Sequence, residues 1–443
     1  MNRIIELNEK IYDEYVKNHP FKSHFLQSYA WGQFAKKEKK QTPFYVGLVN
    51  DKDEVLAAAL LLQKHLPLGF SYFYSPRGFV IDFSDNALLT EFSLKVIEFV
   101  KSKKGIFLKI DPDIIWKEEN YKGEVVDTKY NAKKIFDNLK KIGFKHLGFS
   151  KNFETTQPRY TFRIDLEYPF EDIESRFSKT VKQRINKGTS LGTEVRIGTI
   201  DDVKEFSHLM DMTEDRKDFV SHDYKYYKSL YEIYNKYGNM NLFIGSINTK
   251  KVINKYSKEK EDLGEKLEIL NTKDNLSTAN QKKKKEYEMR IGKLNEYICE
   301  YKNAQKQYGD VITLNSHVII EYGNKAWTLY AANHNVLTSS QSNYKVYHEH
   351  IKYCHDKGIK YYDHFGTVGD LKPTNPRYGL HIFKKSFGGN YIEFIGEFDY
   401  VINPLMYFLF TKLVPFYRKI VKSIAKRNIK KSVCNDGKNE KEG

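Results

Sequence analysis

KKGIFLKID at residues 103–111 and DKGIKYYDH at residues 356–364 are the two stretches whose reading decides the fold. Each sets a glycine behind a basic residue and then runs into aromatic and branched apolar sequence. Upstream of the first, ALLTEFSLKVIEFVKSKKG spaces its apolar residues by three and four, which predicts a helix closed by Gly105 as its C-cap. Upstream of the second, YKVYHEHIKYCHDKG predicts a helix closed by Gly358. Both lead into a strand, IFLKIDPD and IKYYDHFG. The preceding sequence also corresponds, because FYVGLVNDKDEVLAAALLLQ reads as a β-hairpin about a polar turn at 50–53, and VIIEY with AWTLYAA as two strands. One unit therefore occurs twice. The expectation is an α/β chain, more strictly α+β, with two domains of related plan at residues 1–152 and 153–403.

Between NLFIGSI and DVITLNSHVIIEY the sequence turns hydrophilic and helical. Ile253, Tyr256, Lys260, Leu263, Leu267 and Leu270 step by three and four, and after the polar turn NTKDNLSTANQ so do Tyr287, Ile291, Leu294, Ile298, Tyr301, Gln305 and Tyr308. A seam of this spacing on each of two helices predicts an antiparallel coiled-coil hairpin over residues 249–309, inserted in the second domain. At about 1.5 Å per residue such an arm would project on the order of 30 Å. The KKKK run at 282–285 would then lie near its tip, suited to RNA phosphates, although a solvated helix pair or a dimer contact explains it as well.

With 443 residues, 40% of them hydrophobic, the chain is long enough for two cores, and its 33 Tyr and 29 Phe exclude a disordered protein. Its 73 Lys and Arg against 57 Asp and Glu give a formal charge of +16. That balance favours an anionic partner, whether nucleic acid, a nucleotide-linked substrate or an acidic membrane; a lysine-rich proteome would account for part of it. Cys299, Cys354 and Cys434 are odd in number and widely separated, which fits a reducing cytoplasm better than a disulfide framework or a paired-cysteine metal site. The longest apolar run, VLAAALLL from Val55, is well short of the roughly 20 residues a membrane span requires. The chain is expected to be neither secreted nor membrane-spanning.

For chemistry, the sequence holds no Ser-His-Asp order, zinc spacing or P-loop. His348, His350, Cys354 and His355 form the nearest metal-like cluster, but a partly exposed helix face explains them better, and no metal is expected. The plan of each half is reminiscent of acetyltransferase-like folds, yet the glycine-bearing loop that cradles a coenzyme A pyrophosphate is missing. Its nearest relative, QRINKGTSLG, has other glycine intervals and, with Lys179, Lys182, Arg184 and Lys187, looks like a basic phosphate-contacting helix. HIFKKSFGGNYIEFIGEFD at 381–399 then sets a lysine pair between an aromatic residue and two glycines. Read from the residues alone, these are two solvated lysines in a β-turn.

QSYAWGQF, FLKIDPD, QPRYTFRIDL, SKTVKQRINKG, YYDHFGTVGD and FKKSFGGNYIEFIGEFDYVINPLMY, in that order, resemble the Fem-type aminoacyl-tRNA-dependent peptidyl transferases that build the interpeptide bridge of bacterial peptidoglycan. The resemblance runs from about Phe25 to about Tyr407 and includes the arm. It implies two acetyltransferase-like (GNAT-like) domains and a cleft in which a stem-peptide amine attacks the ester of an aminoacyl-tRNA, with glycine, alanine or serine transferred and no cofactor required. It places Phe383 and Lys384 at the reaction centre, Lys384 supplying positive charge to the oxyanion or the terminal ribose, while Lys385 stays a solvated lysine. On the acceptor side it points to Trp31 with Lys36 or Lys37, one residue out of register, to His222 and Tyr226, to Tyr330 and to Asp111. Histidine at 222 replaces the family's arginine, for which Arg216 is a nearby substitute. A buried core tyrosine is the plain alternative for Tyr330, and a turn aspartate before Pro112 for Asp111.

The tail over 404–443 mixes Phe, Leu, Val and Ile with Lys412, Arg418, Lys419, Lys422, Lys426, Arg427, Lys430 and Lys431. It suits an anionic membrane surface, with tRNA phosphates as the rival partner. The expected protein is a cytoplasmic aminoacyltransferase, peripheral at the inner face of the plasma membrane. Its partners would be an aminoacyl-tRNA and either lipid II or UDP-MurNAc-pentapeptide. An acyl-CoA N-acyltransferase and a non-enzymatic RNA-binding scaffold are the alternatives.

Overall fold

The computed structural model describes residues 2–20, 22–128, 130–217, 221–237, 239–273 and 275–413. Fifteen strands are present among them: β1 Arg3–Glu6, β2 Thr42–Val49, β3 Val55–His65, β4 Ser71–Ser75, β5 Gly105–Ile110, β6 Ile115–Glu119, β7 Lys145–His146, β8 Tyr160–Asp165, β9 Glu194–Ile197, β10 Met240–Asn248, β11 Val311–Tyr322, β12 Lys325–Asn333, β13 Tyr361–Asp363, β14 Asn390–Phe394 and β15 Phe398–Val401. They form two sheets. The first runs β1-β2-β3-β4-β5-β15-β7 and the second β6-β14-β8-β13-β12-β11-β10-β9.

Both halves follow one order of elements. In the first, β1 is followed by helices Glu9–Asn18 and Tyr29–Lys39, then β2, β3, β4, helix Asn86–Ser102 and β5. In the second, β9 is followed by helices Val203–Lys217 and Tyr224–Lys236, then β10, β11, β12, helix Ser342–Asp356 and β13. Four antiparallel strands thus lead through a helix to a fifth that lies parallel to the fourth, β4 with β5 and β12 with β13. This is the acetyltransferase-like plan, twice. The duplicated reading of the sequence holds at the level of whole elements.

The sheets also exchange strands across the boundary drawn at 152. β6 pairs with β14 in the second sheet, and β15 inserts between β5 and β7 of the first. Apolar cores lie on the faces of both sheets, and one of them unites Phe25, Trp31 and Phe34 from the first half with Tyr227, Trp327 and Leu242 from the second. Separating the halves would expose this shared core, so the two are packed as one frame.

Two local expectations are corrected. Helix Asn86–Ser102 ends before Gly105, its C-cap is Lys103, and the left-handed residue is Lys104 at φ 58°; Gly105 instead opens β5, where a Cβ would run into Val100. In the second half Gly358, at φ 76°, does follow the helix end. The other correction concerns FKKSF, which is not a β-turn. Tyr378–Lys385 is a helix, and the chain turns only afterwards, at Gly388 with φ 73°.

The arm consists of helices Thr249–Asn271 and Thr278–Tyr308 between β10 and β11. Tyr256 stacks on Tyr297 and meets Tyr301 edge-on, while Arg290 pairs with Glu259 at 2.7 Å, so the helices run antiparallel as a hairpin. In the first half the equivalent connection is the short turn between β2 and β3.

Candidate active site

Lys384 lies on helix Tyr378–Lys385 and is only 6% exposed. Its ammonium donates to three backbone carbonyls just beyond β13, those of His364 (2.8 Å), Phe365 and Gly366 (2.5 Å). These three contacts and its burial correct the solvated reading. Lys385, one residue on and rotated about 100° around the helix, is exposed. Phe383 is half-buried and packs edge-on against Tyr344 at 5.2 Å and Tyr347 at 5.1 Å. Arg184, from the basic helix Lys179–Ser190, lies over Tyr344 at 4.8 Å and bonds its hydroxyl. QRINKG is therefore helical, and Gly188 admits Lys345 so closely that an added Cβ would stand 3.1 Å from it.

Asp111 follows β5 at the matching place in the first half. It accepts from the Arg77 backbone N–H at 2.7 Å and from the Tyr74 hydroxyl at 3.1 Å. Burial, against the pull of Arg77, pushes its carboxyl up to about 7. A carboxyl poised there is half-ionised near neutrality, as a general base requires. A chain of contacts leads from it to Lys384: Arg77 also donates to the Pro158 carbonyl at 2.6 Å, the Pro158 ring crowds Gly366, and the Gly366 carbonyl holds the ammonium.

The acceptor-side candidates converge on two equivalent helices that pack together. Trp31 is buried on Tyr29–Lys39, and Phe34 meets Tyr226 of Tyr224–Lys236 edge-on at 5.0 Å. Tyr226 stacks on His222 at 3.7 Å, and its hydroxyl lies 3.2 Å from that of Tyr330. Tyr330 therefore packs against the shared core while its hydroxyl pairs with that of Tyr226 within the second half. Lys36 and Lys37 are exposed, Lys37 pairing with Glu232 at 3.4 Å. The lysine over the Trp31 ring, at 4.4 Å, is Lys39. The Arg216 side chain lies outside the described residues, as does the tail beyond 413.

A second feature between the halves was not legible as a unit in the sequence. Lys22, Asp113, Arg163 and Lys325 line a cavity of about 430 Å³ together with Tyr130, Lys360 and Tyr361. Lys22 donates to the Asp113 carbonyl and lies within 5.5 Å of the Phe83 and Tyr130 rings. Lys325 and Arg163 approach the Asp113 carboxylate at 3.6 and 3.8 Å, and Arg163 pairs with Asp363 at 3.1 Å. Burial pushes Asp113 up, but Lys325, Arg163 and Lys22 outweigh it and hold the carboxyl well below the usual range. Burial also pushes the Lys22 ammonium down to about 7 against the pull of Asp113. These residues clamp the first half to the second by charge.

The histidine helix does not gather a site. His350 bonds His317 and Tyr362 inside the core, His348 turns to Glu174, and His355 turns to the Tyr168 carbonyl. No helix among the described residues is long and apolar enough to cross a membrane.

Two acetyltransferase-like domains share one apolar core, the first burying the Asp111 carboxyl and the second the Lys384 ammonium. The chain belongs to the FemAB family, whose model matches residues 7–414. It is 28% identical over 429 residues to a lipid II:glycine glycyltransferase of Staphylococcus epidermidis, covering 96% of this chain and 98% of that one. Identity to a protein of the same name from Staphylococcus aureus is 28% over 434 residues, with the same coverage. Among solved structures, the crystal structure of FemX superposes with a TM-score of 0.73 at 27% identity, covering 92% of this chain and 99% of that one.

Proposed function

We propose that this protein is an aminoacyltransferase that forms an amide bond between an amino acid, glycine foremost, and the stem-peptide side-chain amine of lipid II, with aminoacyl-tRNA as donor. The observation that carries the reading is the end-to-end similarity to two proteins named lipid II:glycine glycyltransferase. The amine nitrogen attacks the ester carbon, the carbon–oxygen bond to the ribose breaks, and the ribose oxygen leaves as a hydroxyl on taking up a proton. Asp111 accepts the proton that the amine loses. Lys384 stabilises the oxyanion, whose oxygen replaces one of the three carbonyls as acceptor. Trp31, Tyr226 and Tyr330 wall the acceptor side, where Lys39 offers charge, as Lys36 and Lys37 do at the rim. Arg184 and its basic helix, next to Phe383, receive the RNA. Such contacts make affinity salt-dependent, with a slope of roughly 0.7 to 0.9 per phosphate.

The test is transfer of radiolabel from tRNAs charged separately with glycine, alanine or serine onto lipid II, with UDP-MurNAc-pentapeptide in parallel. Label from glycyl-tRNA in lipid II is the expected result. Labelling of neither acceptor by any donor overturns the reading.

A further inference from the structure

Three segments distant in sequence meet at one end of the first sheet. Residues 64–70 end β3 and lead into β4, residues 101–104 close helix Asn86–Ser102, and residues 404–413 follow β15. Their adjacency is explicit: Ser71 N–H donates to the Lys104 carbonyl at 3.1 Å, the Gln63 amide donates to the Lys103 carbonyl at 3.3 Å, and Phe410 packs on Tyr72 at 5.7 Å. Tyr72 in turn stacks on Phe107, which Tyr407 meets edge-on.

This end combines properties that a folded surface rarely combines. Leu68, at the apex of the β3–β4 connection, is 89% exposed, and Leu405 and Phe408 are 69% and 55% exposed. Lys64, Lys101, Lys103, Lys104 and Lys412 are exposed around them. None of the three segments contains an aspartate or glutamate. Protruding apolar tips inside a ring of lysines complement a bilayer that is apolar within and anionic at its surface. RNA would match the lysines but leave Leu68, Leu405 and Phe408 without a partner. The chain also continues from this patch into residues 414–443, whose first seven cationic residues precede any acid.

We propose that this end of the first domain is a membrane-docking face, on which Leu68, Leu405 and Phe408 enter the headgroup region of an anionic bilayer and the lysines bind its phosphates. The face adjoins the acceptor side, since Thr42, three residues beyond Lys39, bonds His65 at 3.2 Å. Its purpose rests on the lipid-linked acceptor proposed above: docking here would bring the cleft to a substrate anchored in the same membrane.

The experiment uses the full chain and vesicles of phosphatidylglycerol and phosphatidylcholine without lipid II, so the outcome does not depend on transfer. Co-sedimentation is expected with anionic vesicles and not with pure phosphatidylcholine. Neutralising Lys64, Lys104 and Lys412 to glutamine should weaken partitioning on the order of 100-fold, at about fivefold per lysine. Leu68→Ser with Phe408→Ser should weaken it at least tenfold while transfer to detergent-solubilised lipid II stays unchanged. A Leu68→Trp chain should be quenched by brominated lipid, and Ile269→Trp on the arm should not. Undiminished binding by the lysine and apolar variants would place any docking in the tail and overturn the proposal. So would quenching at position 269 alone, or loss of RNA binding without loss of vesicle binding.

Discussion

The two halves share an order of elements and differ where it counts chemically. Counted from Gly105 and Gly358, the residue six places on is Asp111 in the first half and His364 in the second. Both follow a strand parallel to its neighbour. In the first half that position presents a carboxyl; in the second it presents a backbone carbonyl that holds Lys384. The connection between the next pair of equivalent strands is a short turn in the first half and the helical arm in the second. On the proposed reading, the repeated frame positions, and the unrepeated residues react. That division predicts that damage to the frame unfolds the protein, whereas damage at the two strand ends spares the fold.

The largest effect is expected at the joint between the halves. Asp113→Asn leaves Lys325 and Arg163 short of their shared carboxylate and removes the nearby charge that offsets Lys22, and should cost about 3–5 kcal/mol in urea unfolding. A smaller loss would mean that the halves are held by their apolar contact alone. Lys384→Met should lower single-turnover transfer about 100- to 1000-fold with little change in tRNA binding. An equal loss of binding would make Lys384 a scaffold for residues 364–366. Asp111→Asn should cost about 100-fold at neutral pH. The sign of the pH dependence follows from its state: the base form exists above its pKa, so wild-type transfer should rise with pH through about 7 and the variant should lose that inflection. Smallest is Tyr330→Phe, which removes the hydroxyl that meets Tyr226 and should raise the acceptor KM by about three- to tenfold through a bond contributing about 0.5–1.5 kcal/mol.

Much of the frame was legible in sequence because periodicity is local. The helices before Gly105 and Gly358, the β2–β3 hairpin and the arm each announce themselves within one window. The helix ahead of Gly105 was read two or three residues too long, because Lys104 takes the left-handed conformation usually left to glycine. FKKSF was misread as a turn, since an eight-residue helix beside two glycines carries too few apolar repeats to declare itself. The exchange of β6 and β15 is a long-range pairing that no local pattern encodes. At the proposed site, family likeness alone pointed to Lys384, Asp111, Tyr226 and Tyr330; the structure shows Lys384 and Asp111 buried beyond equivalent strand ends and Tyr226 bonded to Tyr330. The Lys22–Asp113–Arg163–Lys325 cluster was not read as a unit, although Asp113 and Arg163 stand in FLKIDPD and QPRYTFRIDL, because its members are scattered along the chain and acquire their meaning only through burial.

The central claim, that the two halves contribute Asp111 and Lys384 to one reaction centre, is tested most directly by a double-mutant cycle on single-turnover transfer from glycyl-tRNA to lipid II. Groups acting in one transition state are strongly non-additive, so Lys384→Met combined with Asp111→Asn should be little slower than the slower single variant. Losses that multiply in the double variant would contradict the account, because they would show the two residues acting independently.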